Sequence, residues 1–187
     1  MAAQPARRPA THADLDALPP HVVGQIVDGD LVVSPRPASR HAGASSGLNA
    51  ELGKPFGRGV GGPGGWIILF EPELHVVGQV LVPDLAGWRR ERMHELPDVA
   101  AFELAPDWLC EVLSPSTAAL DRGAKMRHYA RAGVRHLWLV DPAARTLEIF
   151  RLDGDAWRLV TTEQGDVNIR AEPFDAIEID LAALWAR

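Results

Sequence analysis

The chain has 187 residues, 47% of them hydrophobic, a net charge of −6 and one cysteine, Cys110. That length and apolar content suit one domain with a substantial core, while the short apolar runs exclude a transmembrane helix and the lone cysteine excludes an internal disulfide or a cysteine-rich zinc site. The charge is uneven, with nine acidic and four basic side chains in residues 148–187 and near balance before them, so it neither supports nor excludes phosphate binding.

The N-terminus carries no apolar segment that would serve as a secretory signal, so a cytoplasmic protein is expected. Residues 1–13, rich in Ala, Pro and Arg, read as a disordered tail, and 14–187 as a single domain. A short helix follows Asp14 and ends near Pro19. Gln25–Val33 reads as a β-hairpin turning at Asp28-Gly29. A helix opens at Ser39 or His41 and runs to about Leu52, with Gly53 closing it. The run GRGVGGPGG, residues 57–65, holds six glycines. It lacks the Gly-Lys-Ser/Thr ending of a P-loop and no helix follows, so it reads as a mobile loop.

Trp66–Val77 and Gln79–Leu85 read as strands, and 86–106 as polar loop with a short helical piece. Trp108–Leu113 is a compact strand. Ser116 or Thr117 then caps a helix across 118–132 that Gly133 ends. His136–Val140 is a strand stopped by Asp141-Pro142. Thr146–Leu152 and Ala156–Thr161 form a hairpin through Asp153-Gly154. A strand around Ala176–Ile179 and a short helix at Leu181–Trp185 complete a mixed α/β order.

Chemistry concentrates in the middle of the chain. Seventeen arginines accompany only two lysines, Lys54 and Lys125. A lysine kept against that bias suggests a task that a planar, permanently charged guanidinium does not perform. Lys125 follows Asp84 and Glu111; Glu111 shares a strand face with Leu109 and Leu113, where an unpaired carboxylate is costly. Glu71 and Glu73 share a face of the preceding strand. An Asp, a Glu and a Lys from adjacent elements suffice for phosphodiester hydrolysis with Mg²⁺ or Mn²⁺: carboxylates hold the metal, and the lysine stabilises developing negative charge. Plainer readings stand beside this one. Asp84 ends a strand, Lys125 lies four residues after Asp121 in the register of a helical ion pair, and His41 contacts phosphate, acts in proton transfer or is a solvated residue at the start of its helix. Arg89, Arg90 and Arg92 grip phosphates or form a solvated turn.

The runs QIVDGDLVVSPRPASRHAGASSGLNAEL, VPDLAGWRRER and DWLCEVLSPSTAALDRGAKMRHYARAGVRHLWLVDP resemble the Uma-type "putative restriction endonuclease" family of the PD-(D/E)XK superfamily, across roughly residues 20–185. The resemblance implies an αβββαβ core, a central mixed sheet flanked by helices and extra β-hairpins, with a metal site at the end of a splayed sheet. It matches Asp84 to the family's first aspartate and Glu111 to its second carboxylate. The superfamily lysine normally lies two residues beyond that glutamate, where this chain has Leu113; the lysine is displaced to Lys125. Gln25 stands where the family has a glutamate, so the chain is impaired there or uses Glu71 instead. The resulting expectation is a metal-dependent DNA endonuclease, with Asp84, Glu111 and Glu71 on the metal, Lys125 at the attacking water, and His41, Arg89 and Arg90 as substrate contacts. A homodimer would suit cleavage of a duplex. The main rival is a non-catalytic nuclease-like scaffold that binds nucleic acid or a protein, and a third reading is a metal-dependent hydrolase of a smaller phosphoester.

Overall fold

A computed structural model describes residues 8–35 and 37–185; the first seven residues of the expected tail lie outside them. Residues 8–13 are tied down. Ala10 donates its amide to the Gly29 carbonyl, and Thr11 donates both amide and hydroxyl to Asp14 at the start of α1 (His12–Asp16). The hairpin forms as expected from β1 (Val22–Val27) and β2 (Asp30–Pro35). Asp28 and Gly29 both take positive φ, 53° and 83°, the conformation of a two-residue turn that follows strand twist.

Helix α2 (Ser39–Leu52) does not end at Gly53, which keeps helical angles (φ −65°, ψ −37°) and leads into a π-helical turn, Gly53–Gly57. The glycine-rich segment is anchored rather than loose. Val60 donates its amide to Lys54 and Gly64 to Pro55, and a Cβ at Gly62 would overlap Pro55. Strand β3 (Trp66–Phe70) is also shorter than expected. At Glu71, with φ 45°, the chain leaves one sheet and enters another as β4 (Leu74–Val76) and β5 (Gln79–Leu81). It returns as β6 (Leu85–Arg89), inside the stretch expected to be loop. Ala86 and Trp88 of β6 are fully buried; the polar run after Trp88 had hidden a core strand.

Strand β7 (Trp108–Val112) leads through α3 (Ala118–Leu120), a second π-helical turn (Asp121–Lys125) and α4 (Met126–Arg131) to β8 (His136–Asp141). β7 and β8 pair in parallel, as a strand–helix–strand crossover permits. A hairpin of β9 (Thr146–Asp153) and β10 (Ala156–Gln164), the pair β11 (Asn168–Ile169) and β12 (Ile179–Asp180), and a 3-10 turn (Leu181–Leu184) follow. The larger sheet runs β10-β9-β8-β7-β6-β3 and the smaller β2-β1-β5-β4.

Alternation along β7 divides the core. Trp108, Cys110 and Val112 face α2 and the C-terminal segment, where Phe174 packs against Trp66, Trp108 and Trp138. Leu109 faces Tyr129, Leu137 and Leu139 on the opposite side, and Glu111 shares that side by the period of two. In chain order α2, β3, β6, β7, the broken helix and β8 give αβββαβ, with β4 and β5 as an excursion. No helix among the described residues is long and apolar enough to cross a membrane.

Candidate active site

Asp84 lies where the chain passes from β5 to β6. Its Oδ2 accepts the Val112 amide at 2.7 Å, and its Oδ1 stands 3.1 Å from His41 Nε2 in the first turn of α2. Glu71 donates its own amide to the Asp84 carbonyl at 3.0 Å, which pins the kink after β3 beside this carboxylate. Burial opposes a charged His41, but hydrogen bonding to Asp84 and its negative charge outweigh it, and the pKa is raised.

Glu111 occupies the middle of β7 and is 2% exposed. Its Oε1 lies 2.7 Å from Lys125 Nζ and accepts the Tyr129 hydroxyl at 2.6 Å. Lys125 Nζ also reaches Asp121 Oδ1 and donates to the Val82 carbonyl, each at 3.3 Å. Its ammonium thus meets three oxygens with three donors. Asp121, Lys125 and Tyr129 recur every four residues along the broken helix and so meet β7 together. Burial pushes Glu111 up to about 8; Lys125 opposes the shift, while Asp121 and Asp84 add to it. Burial also works against the charge on Lys125, yet Glu111 and Asp121 prevail and its pKa is raised.

These groups share a cavity of about 250 Å³ that Asp84, Glu111, Asp121, Lys125, His41 and Glu71 line. Gln25 lines it too, and its Oε1 accepts the Val82 amide at 2.9 Å. The position matched to the family glutamate is therefore in the cavity wall, occupied by an amide that joins the small sheet to the strand end before Asp84. Among the described residues no three or more His, Cys, Asp or Glu side chains gather to hold a metal ion. The donor chemistry nonetheless fits Mg²⁺, which binds through one or two carboxylates and keeps several waters. Four carboxylates, Glu71, Asp84, Glu111 and Asp121, line the cavity with one lysine ammonium, and Glu111 is raised chiefly by burial, with the charges of Asp121 and Asp84 adding to it.

Other expected residues lie elsewhere. Glu73 pairs with His75 at 2.7 Å, away from this cavity. Arg89 ends β6, at the opposite end of that strand from Asp84, and stacks over Trp66 at 4.7 Å. Arg90 donates to the His94 carbonyl, and Arg92 pairs with buried Asp107. Expected as substrate contacts, Arg89 and Arg90 do not join the carboxylate cavity. Asp121 does join it, although its spacing to Lys125 suggests an exposed ion pair. Its 4% side-chain exposure is what the i, i+4 pattern does not reveal.

A family model described as "Uma2: Putative restriction endonuclease" matches residues 13–182. Among solved structures, the chain resembles "a putative nuclease belonging to DUF820 from Anabaena variabilis ATCC 29413". The TM-score is 0.70 at 20% identity, covering 95% of this chain and 98% of the other. At that identity the likeness establishes the fold, which is restriction-endonuclease-like. Comparison with curated proteins gave no match. A match over nearly the whole chain, on the fold that brings Asp84, Glu111 and Lys125 into one cavity, places the protein in the Uma2 "putative restriction endonuclease" family.

Proposed function

We propose that this protein is a metal-dependent endonuclease hydrolysing phosphodiester bonds of DNA, with Asp84 and Glu111 holding Mg²⁺ or Mn²⁺ and Glu71 beside them. One observation carries the reading: Lys125, displaced by twelve residues from the superfamily's usual position, still puts its Nζ 2.7 Å from Glu111 in the cavity that Asp84 lines. The nuclease names of the family and of the structural relative support it at a coarser level.

A bound divalent ion would neutralise phosphate charge and acidify a bound water. Lys125 supplies a fixed positive charge where the phosphoryl oxygens gain negative charge, in a buried setting that strengthens the effect. Asp121 and the Val82 carbonyl hold the ammonium in place, and Tyr129 fixes the rotamer of Glu111. His41 orients Asp84 and, when protonated, supplies a second cation.

The scaffold reading is favoured by one feature, the neutral Gln25 where the family has a carboxylate. Nicking of supercoiled plasmid separates the two. The enzyme reading expects relaxation in Mg²⁺ or Mn²⁺ that EDTA, Glu111→Gln and Lys125→Met each abolish, with folding of both variants verified by circular dichroism. Intact plasmid in both metals, with wild-type DNA binding retained, would establish the scaffold.

A further inference from the structure

The second lysine leads to a second cavity. Lys54 lies in the π-helical turn Gly53–Gly57, and Lys125 in the π-helical turn Asp121–Lys125. Such turns occur often at functional sites. The cavity beside Lys54 is larger, about 510 Å³, with Lys54, Arg58, Arg90 and Asn49 on its polar side and Trp66 and Ile68 on its apolar side. No carboxylate lines it. Lys54 and Arg58 are exposed and have no ion-pair partner among the described residues, whereas Arg92, Arg122, Arg145 and Arg151 all pair with acids. The glycine-rich segment fixes this wall, because Arg58 donates its amide to Gly53 and Gly64 its amide to Pro55. Unpaired cations around an open, partly apolar hollow suit a phosphate with its sugar or base attached.

Both cavities lie along the same two elements. β3 runs from Trp66, in the wall of the basic cavity, to the kink at Glu71, in the wall of the carboxylate cavity. Those five steps, at about 3.3 Å each, span roughly 17 Å. From His41 to Asn49, α2 covers eight steps, roughly 12 Å. A separation of roughly 10–17 Å is on the order of a few nucleotides of one strand. We propose that the cavity of Lys54, Arg58 and Arg90 grips a backbone phosphate of the DNA whose scissile phosphate lies in the carboxylate cavity, a few nucleotides away. This rests on the nuclease reading and adds a second phosphate contact to it.

The test is the salt dependence of binding. A fluorescein-labelled duplex is titrated in EDTA with wild type, with Lys54→Gln/Arg58→Gln, and with Arg135→Gln/Arg158→Gln, which removes the same charge from exposed positions elsewhere. The expected result is a log K against log[salt] slope shallower by about one for the Lys54/Arg58 pair, the loss of one phosphate contact, and unchanged for the control pair. A slope equal to wild type, or an equal change in both double variants, overturns the basic-cavity site and leaves the nuclease reading standing. Absence of wild-type binding also overturns it; the plasmid assay then decides whether the nuclease reading falls too.

Discussion

At the scale of single residues, the ammonium of Lys125 explains why arginine did not displace it. Three donors meet Glu111, Asp121 and the Val82 carbonyl in a site where the side chain is 3% exposed. A guanidinium carries five donors in a rigid plane and would leave some of them buried without partners. Lys125→Arg is therefore expected to lower stability by about 1–3 kcal/mol and to abolish nicking, read by thermal melts and gel assay; a variant of wild-type stability would refute this account of the site. Glu111 makes a prediction about pH. Its folded pKa of about 8 lies above the unfolded value of about 4.3, so the stability it contributes is complete below the lower value and lost as pH rises through the upper one. Metal-free wild type should lose on the order of a few kcal/mol between pH 5 and 8.5 relative to Glu111→Gln. Urea denaturation in EDTA at several pH values tests this, and parallel curves for the two proteins would contradict it.

Among the elements, α2 carries His41 to the carboxylates and packs its other end on the C-terminal turn. Two glycines in that helix separate sharply. A Cβ at Gly47 would strike the Ala183 carbonyl oxygen, backbone that cannot swing aside, whereas a Cβ at Gly43 meets nothing within 4 Å. Gly47→Ala should cost about 1–3 kcal/mol through overpacking, and Gly43→Ala should gain about 0.5–1 kcal/mol through helix propensity. Chemical denaturation of the two variants checks the contrast, which fails if both shift the same way. Local pattern located α2, the first hairpin and β7 well, because short-range turn chemistry and apolar periodicity fix them. It missed β6, whose LAGWR has no alternation, since β6 is a central strand paired with β3 and β7 and both of its faces are buried. It also missed both π-helical turns. No local propensity in GKPFG or DRGAK encodes the wider turn.

For the whole molecule, the carboxylate cavity forms where the two sheets meet. The large sheet delivers Glu111 and the entry to β6 delivers Asp84, while the small sheet delivers Gln25. Buried His128 bonds Asp28 at 2.8 Å, holding the hairpin turn of the small sheet to α4. Sequence could name Glu111 and Lys125 because their residue types are costly or rare where they stand, and Asp84 through the family resemblance. It could not show that β6 carries Arg89 and Arg90 away from Asp84, because that separation exists only once β6 is known to be a strand. The assembled chain presents one set of these groups, so cutting both strands of a duplex needs two visits or two copies. If two copies act together, as the nuclease reading favours, linear plasmid should appear early, and at protein concentrations where the copies are mostly dissociated its initial rate should rise with about the square of protein concentration. Independent copies would first accumulate nicked circles and yield linear product only from them, in proportion to the first power. A gel time course over a range of protein concentrations distinguishes these cases, and linear product arising only from nicked circles at every concentration would remove the homodimer from the proposal while leaving the chemistry of the cavity intact.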